Sequence, residues 1–271
     1  MYNLLKGKRG IITGALDENS IAWKVALRAK EEGANFTLTN APVALRLGVI
    51  NQLAEQCGTI VIPADATVLE DISTLYTQSM DHLGGKIDFV LHSIGMSPNV
   101  RKKKNYGDLN YDWFQKTLDI SALSFHKMMQ VGEKLNAFND YGSIVALTYM
   151  AAQRVFPDYA DMAQAKAMLE SIARSYGYRL GKLQKIRVNT VSQSPTATTA
   201  GTGVGGFDVF MDYADKLSPL GNATAEDCAD YVITLFSDLT RKVTMQNLFH
   251  DGGFSSTGIS DAIMERFGDK A

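Results

Sequence analysis

The feature that most limits what this chain can fold into is its alternation of short apolar runs with longer stretches of helical periodicity. RGIIT (9–13), NFTLT (35–39), TIVIP (59–63), KIDFVLHS (86–93), GSIVALTY (142–149), KIRVNTVS (185–192) and MQNLFHD (245–251) read as seven strands. Between them, apolar residues recur at helical spacing near 20–32, 43–55, 68–83, 110–137, 157–181 and 223–237. Strands that are apolar along most of their length suit a parallel sheet covered by helices on both faces. The alternation therefore predicts a single doubly wound α/β domain of Rossmann type over residues 1–271, with a mainly parallel seven-stranded sheet. A closed (β/α)8 barrel is the competitor, but the further βα units it needs are hard to find after residue 192.

Composition narrows the function classes. A net charge of −2 gives no global field to recruit nucleic acid or an anionic membrane. No run of about 18 apolar residues occurs, and MYNLLKGKRGIITG leads straight into a strand without a leader pattern. Cys57 and Cys228 are too few for a disulfide framework and fit a reducing compartment. The expectation is a soluble cytoplasmic protein that binds neither nucleic acid, membrane nor structural metal.

In an open sheet of this kind, ligands bind beyond the carboxyl ends of the strands, so chemistry is sought there. The first strand ends in TGALDENSIAWK, which lacks the full G-x-G-x-x-G pattern. Gly14 can still turn the backbone tightly beside a pyrophosphate. Ser20 can cap the next helix and leave its amides aimed at the anion, and Ala22 is small enough for close packing. An ordinary turn followed by a cap accounts for the same residues. The second strand end, TNAPVALR, has no acid for a ribose 2′-hydroxyl and no adjacent base for a 2′-phosphate; Arg46 is the nearest cation. The lean is to NAD over NADP. Asp65, after the third strand, suits either an adenine amino group or a helix cap. In HSIGMSP, Gly95 permits close backbone passage beside a ribose or nicotinamide, and Met96-Ser97 can border a substrate. His92 has nothing nearby to orient it and reads as packed rather than catalytic.

The fifth strand ends at Tyr149, and a helix is expected from Pro157 onward. Within that helix Tyr159 and Lys166 would lie within about 20° of one face and about 10 Å apart along the axis. An ammonium beside a phenol stabilises charge developing on or near the phenol oxygen. Hydride addition to an α,β-unsaturated thioester places charge on the thioester oxygen, where a phenol O–H can stabilise it. A core-edge tyrosine and a solvated lysine would look the same locally. Tyr178-x3-Lys182 and Tyr2-x3-Lys6 match a commoner tyrosine–lysine spacing, but neither lies at a strand's carboxyl end.

Gly14-x5-Ser20-Ile21-Ala22, His92-Ser93-Ile94-Gly95, Tyr149-x9-Tyr159-x6-Lys166 and the closing His250-Asp251-Gly252-Gly253-Phe254 together resemble the enoyl-[acyl-carrier-protein] reductases of the short-chain dehydrogenase/reductase superfamily. The likeness runs from about residue 4 to 258, and the tyrosine–tyrosine–lysine spacing is its specific part. It implies that Tyr159 donates to an enolate, Lys166 holds the nicotinamide ribose and Tyr149 borders the acyl thioester. It also implies cofactor contacts from Gly14, Ser20, Ile21, Asp65, Ala66, Ile94, Thr196 and Thr198, and a substrate contact at Ser97. NADH is the implied cofactor, with NADPH less favoured, an acyl carrier protein the implied partner and a homotetramer the implied assembly. The segment Gln193-Ser194-Pro195-Thr196-Ala197-Thr198 departs from the family's usual Ala-Gly-Pro-Ile-Arg-Thr. The stretch about 194–218, with GTGVGG followed by Phe207, Val209, Phe210 and Met211, is expected to be a substrate-covering loop.

Overall fold

The computed structural model describes residues 2–46, 49–198 and 206–268. Its sheet has six parallel strands: β1 (Arg9–Thr13), β2 (Asn35–Thr39), β3 (Ile87–His92), β4 (Phe138–Thr148), β5 (Arg187–Gln193) and β6 (Asn247–His250). Their order is β2-β1-β3-β4-β5-β6, so the chain reverses its direction of travel between β1 and β3. Alternate residues point to opposite faces. Ile12, Leu38, Phe89, Val145 and Val191 meet helices α1 (Ile21–Glu31), α3 (Val49–Cys57) and α10 (Ala225–Phe236). Ile11, Val90, Ile144 and Val188 meet α4 (Leu69–Leu83), α7 (Ser124–Lys134) and α8 (Met162–Gln184). Both faces are therefore dry, as the apolar strands required. Each buried Leu, Ile or Phe contributes about 1.5–3 kcal/mol of transfer free energy.

Four expectations are corrected. The sheet has six strands rather than seven, because TIVIP makes only an isolated bridge, Val61 beside Leu38. β2 ends at Thr39, and Asn40 turns the chain by accepting from the Ala41 N–H and donating to the Ala15 carbonyl. Across this edge the hydrogen bonds are few: Leu38 N–H to the Ile60 carbonyl, Ile62 N–H to the Leu38 carbonyl and Ala64 N–H to the Asn40 carbonyl. The helix expected at 110–137 is interrupted: α6 (Tyr111–Leu118) passes through a π-turn at Asp119–Leu123 before α7. The helix expected from Pro157 begins only at Met162, because Asp158 (φ +65°) and Ala160 (φ +43°) are left-handed. The expected helix at 43–55 comprises the short α2 (Pro42–Leu45) and then α3. The strands of the pattern were otherwise placed to within a few residues. Helices α5 (Pro98–Arg101), α9 (Phe207–Leu217) and α11 (Asp261–Gly268) were not foreseen.

Candidate active site

In a sheet of this order the ligand crevice is expected at the carboxyl ends of β1 and β3, where the chain reverses its direction of travel. Gly14, just past β1, has φ +83°, and a Cβ built on it would lie 2.0 Å from the Ser93 carbonyl oxygen. Only glycine lets these two strand ends approach so closely. Ala22 is fully buried behind the turn. Ser20 occupies the residue before α1, but its hydroxyl does not cap the helix. It accepts from the Leu16 and Asp17 N–H groups, each at 3.0 Å, and donates to the Asp17 carbonyl. The side chain thus shapes the 14–20 loop, and Ile21 opens the helix against the core. Asp65 likewise forms its own turn, accepting from the Thr67 N–H at 2.9 Å and the Thr67 hydroxyl at 2.7 Å. Ala66 next to it packs against the core under α4. Ile94 and Gly95 lie half-buried in the loop after β3.

At the end of β4, three aromatic side chains meet. The Tyr149 ring is 5.4 Å from that of Tyr159 and 5.3 Å from that of Phe156. Phe210 of α9 closes on Tyr149 and Phe156, at 6.0 and 5.0 Å, and Phe254 completes the wall. Burial raises both tyrosine pKa values well above the usual phenol range, with Tyr159 itself adding to the effect on Tyr149. Both phenols therefore keep their protons at neutral pH and serve as donors. The Tyr149 hydroxyl is buried without a hydrogen-bond partner among the described residues. Such an orphan costs about 1–3 kcal/mol unless something supplies a partner, which fits a ligand group in this crevice.

Lys166 lies on the first turns of α8, almost fully buried, and its Nζ donates to the Leu147 carbonyl at 2.8 Å. An ammonium has three donors, and Leu147 takes one. A Cβ on Gly95 would stand 3.6 Å from this Nζ, so the bare backbone there leaves the ammonium its approach to the crevice. Burial lowers the Lys166 pKa to about 8, while the Glu170 carboxylate one turn on raises it. Tyr159 is not on the helix with Lys166, as the sequence pattern had placed it. The two converge on β4 from a turn and a helix respectively.

The remaining expectations sort by what each side chain touches. His92 is fully buried, 2.8 Å from the Ser124 hydroxyl, whose proton goes to the Ile120 carbonyl at 2.6 Å. The imidazole is thus the N–H donor, and burial lowers its pKa to about 3, so it is packed and neutral. The Ser97 hydroxyl turns away from the crevice to donate to Asp161 at 2.6 Å, leaving a substrate contact to its backbone. Thr196 donates to the Ser194 carbonyl at 2.9 Å, and Thr198 N–H to the Thr196 carbonyl at 2.7 Å. The departure at Gln193-Ser194 has a structural account. Gln193 Oε1 accepts from the His250 Nδ1–H at 2.7 Å, and its Nε2 donates to the Ala223 and Thr224 carbonyls. Ser194 accepts from the Ala223 N–H at 3.0 Å. Of the expected lid at 194–218, residues 199–205 lie outside the described residues, while 207–217 form α9. Val209 of α9 is exposed and Phe210 faces the aromatic wall. Tyr178, in the last turns of α8, and Tyr2, ahead of β1, are both exposed.

Sequence reasoning missed Ser121, Glu170 and Asp161. Ser121, in the π-turn, accepts from the Met96 N–H at 3.0 Å and holds the loop beside Gly95. Glu170 accepts from Thr148 at 3.0 Å and Gln153 at 2.9 Å. Ser121 lies in the π-turn, Asp161 just before α8 and Glu170 within it, and no spacing marks any of them.

A parallel sheet with a glycine turn at its reversal point, and a tyrosine and buried lysine gathered at the end of β4, defines a short-chain dehydrogenase/reductase. Comparison with known proteins narrows that class. A family model described as Enoyl-(Acyl carrier protein) reductase matches residues 14–255. The Enoyl-[acyl-carrier-protein] reductase [NADH] 1 of Rhizobium meliloti (strain 1021) is 35% identical over 258 residues, covering 94% of this chain and 93% of its own. The FabI–NADH complex from Alistipes finegoldii superposes with a TM-score of 0.97 at 64% identity, covering 100% of this chain and 95% of that one. The enoyl-[acyl-carrier-protein] reductase (NADH) of Aquifex aeolicus VF5 does so with a TM-score of 0.87 at 32% identity, covering 94% and 100%. The chain belongs to the enoyl-[acyl-carrier-protein] reductase family.

Proposed function

We propose that Tyr159 and Lys166 carry the reaction, with Tyr149 bordering the substrate. The protein is an NADH-dependent enoyl-acyl-carrier-protein reductase. It reduces the trans-2 double bond of enoyl thioesters in the elongation cycle of fatty acid synthesis. The observation that carries the residue assignment is the meeting of the Tyr149 and Tyr159 rings beside a lysine bonded to the Leu147 carbonyl.

The chemistry NADH would supply when bound is a hydride for the β-carbon of the enoyl thioester. The residues that would hold the dinucleotide are those around Gly14, Ser20, Ile21, Asp65, Ala66, Ile94, Thr196 and Thr198, with Lys166 at the ribose. As hydride arrives, charge grows on the thioester oxygen, and the Tyr159 O–H donates to it. Its raised pKa keeps that proton in place until then. The Lys166 ammonium adds positive charge at the same strand end. Ser97 contributes its backbone to the thioester side, and Phe156, Phe210 and Phe254 line a wall suited to an acyl chain. The segment 194–218, carrying α9, serves as the cover, the single domain assembles as a homotetramer, and the enzyme works in the cytoplasm.

NADH oxidation with crotonyl and acetoacetyl thioesters, with NADPH in parallel, tests the activity. Turnover of the enoyl substrate alone, faster with NADH, is expected; turnover of the ketone alone would refute it. Tyr159→Phe removes one oxyanion donor, which is worth about 10²–10³ in kcat. An unchanged kcat would refute the residue assignment.

The acidic carrier protein has a candidate landing place in Arg101-Lys102-Lys103-Lys104, next to Ser97. The first three are exposed, and Lys104 pairs with Asp108 at 3.4 Å. Neutralising the four should raise KM for carrier-protein substrates and leave acyl-CoA analogues little changed. Equal effects on both would remove the run from consideration.

A further inference from the structure

Behind Tyr159 lies a buried polar cluster that hydride transfer does not itself require. Asp161, the residue before α8, is fully buried, as are Asn99 and Thr117, and Ser97 is nearly so. Ser97 Oγ donates to Asp161 Oδ1 at 2.6 Å, and Asn99 Nδ2 donates to Oδ2 at 2.7 Å. Thr117 Oγ1 lies 2.9 Å from Oδ2 and 2.8 Å from the Trp113 carbonyl oxygen, one proton serving two acceptors. Asn99 is itself fixed, exchanging hydrogen bonds with the Asn110 backbone at 3.1 Å each. No ion pair reaches Asp161 among the described residues. A buried carboxyl held only by neutral donors is costly to keep, and an apolar side chain would fill the space at less cost.

What the cluster secures is legible in the backbone. Tyr159 sits between Asp158 at φ +65° and Ala160 at φ +43°, both left-handed and neither a glycine. Such a conformation persists only where its surroundings over-determine it. Asp161 is the next side chain along. Its partners are Ser97, which ends the loop after β3, Asn99 in α5 and Thr117 in α6. The strained turn that presents the phenol is thereby tied to the loop that borders the substrate.

We infer that Asp161 is a positioning residue, which locks the Tyr159 turn to the Ser97–Asn99 start of α5 and so sets the phenol against the thioester oxygen. This rests on the assignment of Tyr159 as donor in the proposed function. Asp161 touches no reacting atom and acts through Tyr159. The same cluster explains why the Ser97 hydroxyl points away from the crevice.

Asp161→Asn tests it. The amide turns one accepting oxygen into a donor, so the three existing donors cannot all be matched. A misplacement of about 1 Å can cost on the order of 10²-fold in rate, so kcat with a crotonyl thioester should fall at least tenfold. The NADH dissociation constant, read by fluorescence titration, should stay within about twofold. The double variant with Tyr159→Phe should be no slower than Tyr159→Phe alone, because removing the phenol leaves nothing to position. Additive losses would overturn the inference, as would a kcat within twofold of the parent or a parallel loss of NADH affinity. Should Asp161→Asn not fold, Thr117→Val takes its place, with Thr117→Ser expected to restore kcat; equal rates for these two would likewise overturn it. If Tyr159→Phe itself leaves kcat unchanged, the residue assignment has failed. If only the Asp161 and Thr117 variants do, the positioning role alone has failed.

Discussion

Lys166 should lose its proton at a far lower pH than an exposed lysine, and the enzyme's activity should report it. Burial lowers its pKa from the ordinary 10.5 to about 8, and Glu170 alone among the named neighbours pulls the other way. At 1.36 kcal/mol per pH unit, keeping the ammonium charged in this place costs about 3 kcal/mol relative to water. On the proposed assignment the charged form is the useful one, since it would carry the donors for a ribose and puts positive charge at the end of β4. As pH rises through 8 that form disappears: about nine-tenths is present at pH 7 and about one-tenth at pH 9. The profile of kcat/KM for NADH, which reports the free enzyme, should therefore fall about tenfold between pH 7 and pH 9. The kcat profile should bend at higher pH, because the pyrophosphate of a bound dinucleotide favours the ammonium. Glu170→Gln should move the kcat/KM inflection downward, and Lys166→Met should give a low, flat profile. A parent kcat/KM that stays level to pH 10 would refute the reasoning. The linked stability has the opposite sense. The unfolded chain holds this proton to about 10.5, so the cost is fully present below pH 8 and disappears as pH rises from 8 to 10.5.

Two further outcomes are expected. Gly14→Ala places a Cβ 2.0 Å from the Ser93 carbonyl oxygen at φ +83°, so the loop must shift. Its NADH dissociation constant, measured by fluorescence titration, should rise at least tenfold while the thermal midpoint falls only modestly. His92 is neutral in the fold with a pKa of about 3 but titrates near 6.5 when unfolded, so stability falls as pH drops below 6.5. At pH 5 this amounts to about 2 kcal/mol. Urea unfolding at pH 7.5 and pH 5.0 should show that loss in the parent and not in His92→Leu.

Most strands could be read in the chain because a dry parallel strand has to be apolar along its length, and few other elements look that way. The Tyr149, Tyr159 and Lys166 positions were legible because chemistry in such a sheet collects where strands end. The route by which two of them meet was not. The helical pattern running back from Met162 continued through Pro157, and nothing in the residue types announced left-handed backbone at Asp158 and Ala160. The missing seventh strand has the same origin. TIVIP has strand composition, but pairing depends on what its neighbour offers, and beside β2 it makes only the Val61–Leu38 bridge and a bond from Ala64 N–H to the Asn40 carbonyl.

The chain by itself determined the layered α/β plan, the glycine at the crevice and the chemical types gathered there, since periodicity and residue identity are local properties. Only the tertiary structure decided that the Ser97 and Ser20 hydroxyls serve the scaffold, and that burial brings the Lys166 pKa down to about 8. It alone decided, too, that Asp161 stands behind Tyr159. Hydrogen-bond partners and desolvation depend on groups far apart in the chain, and no local pattern encodes them.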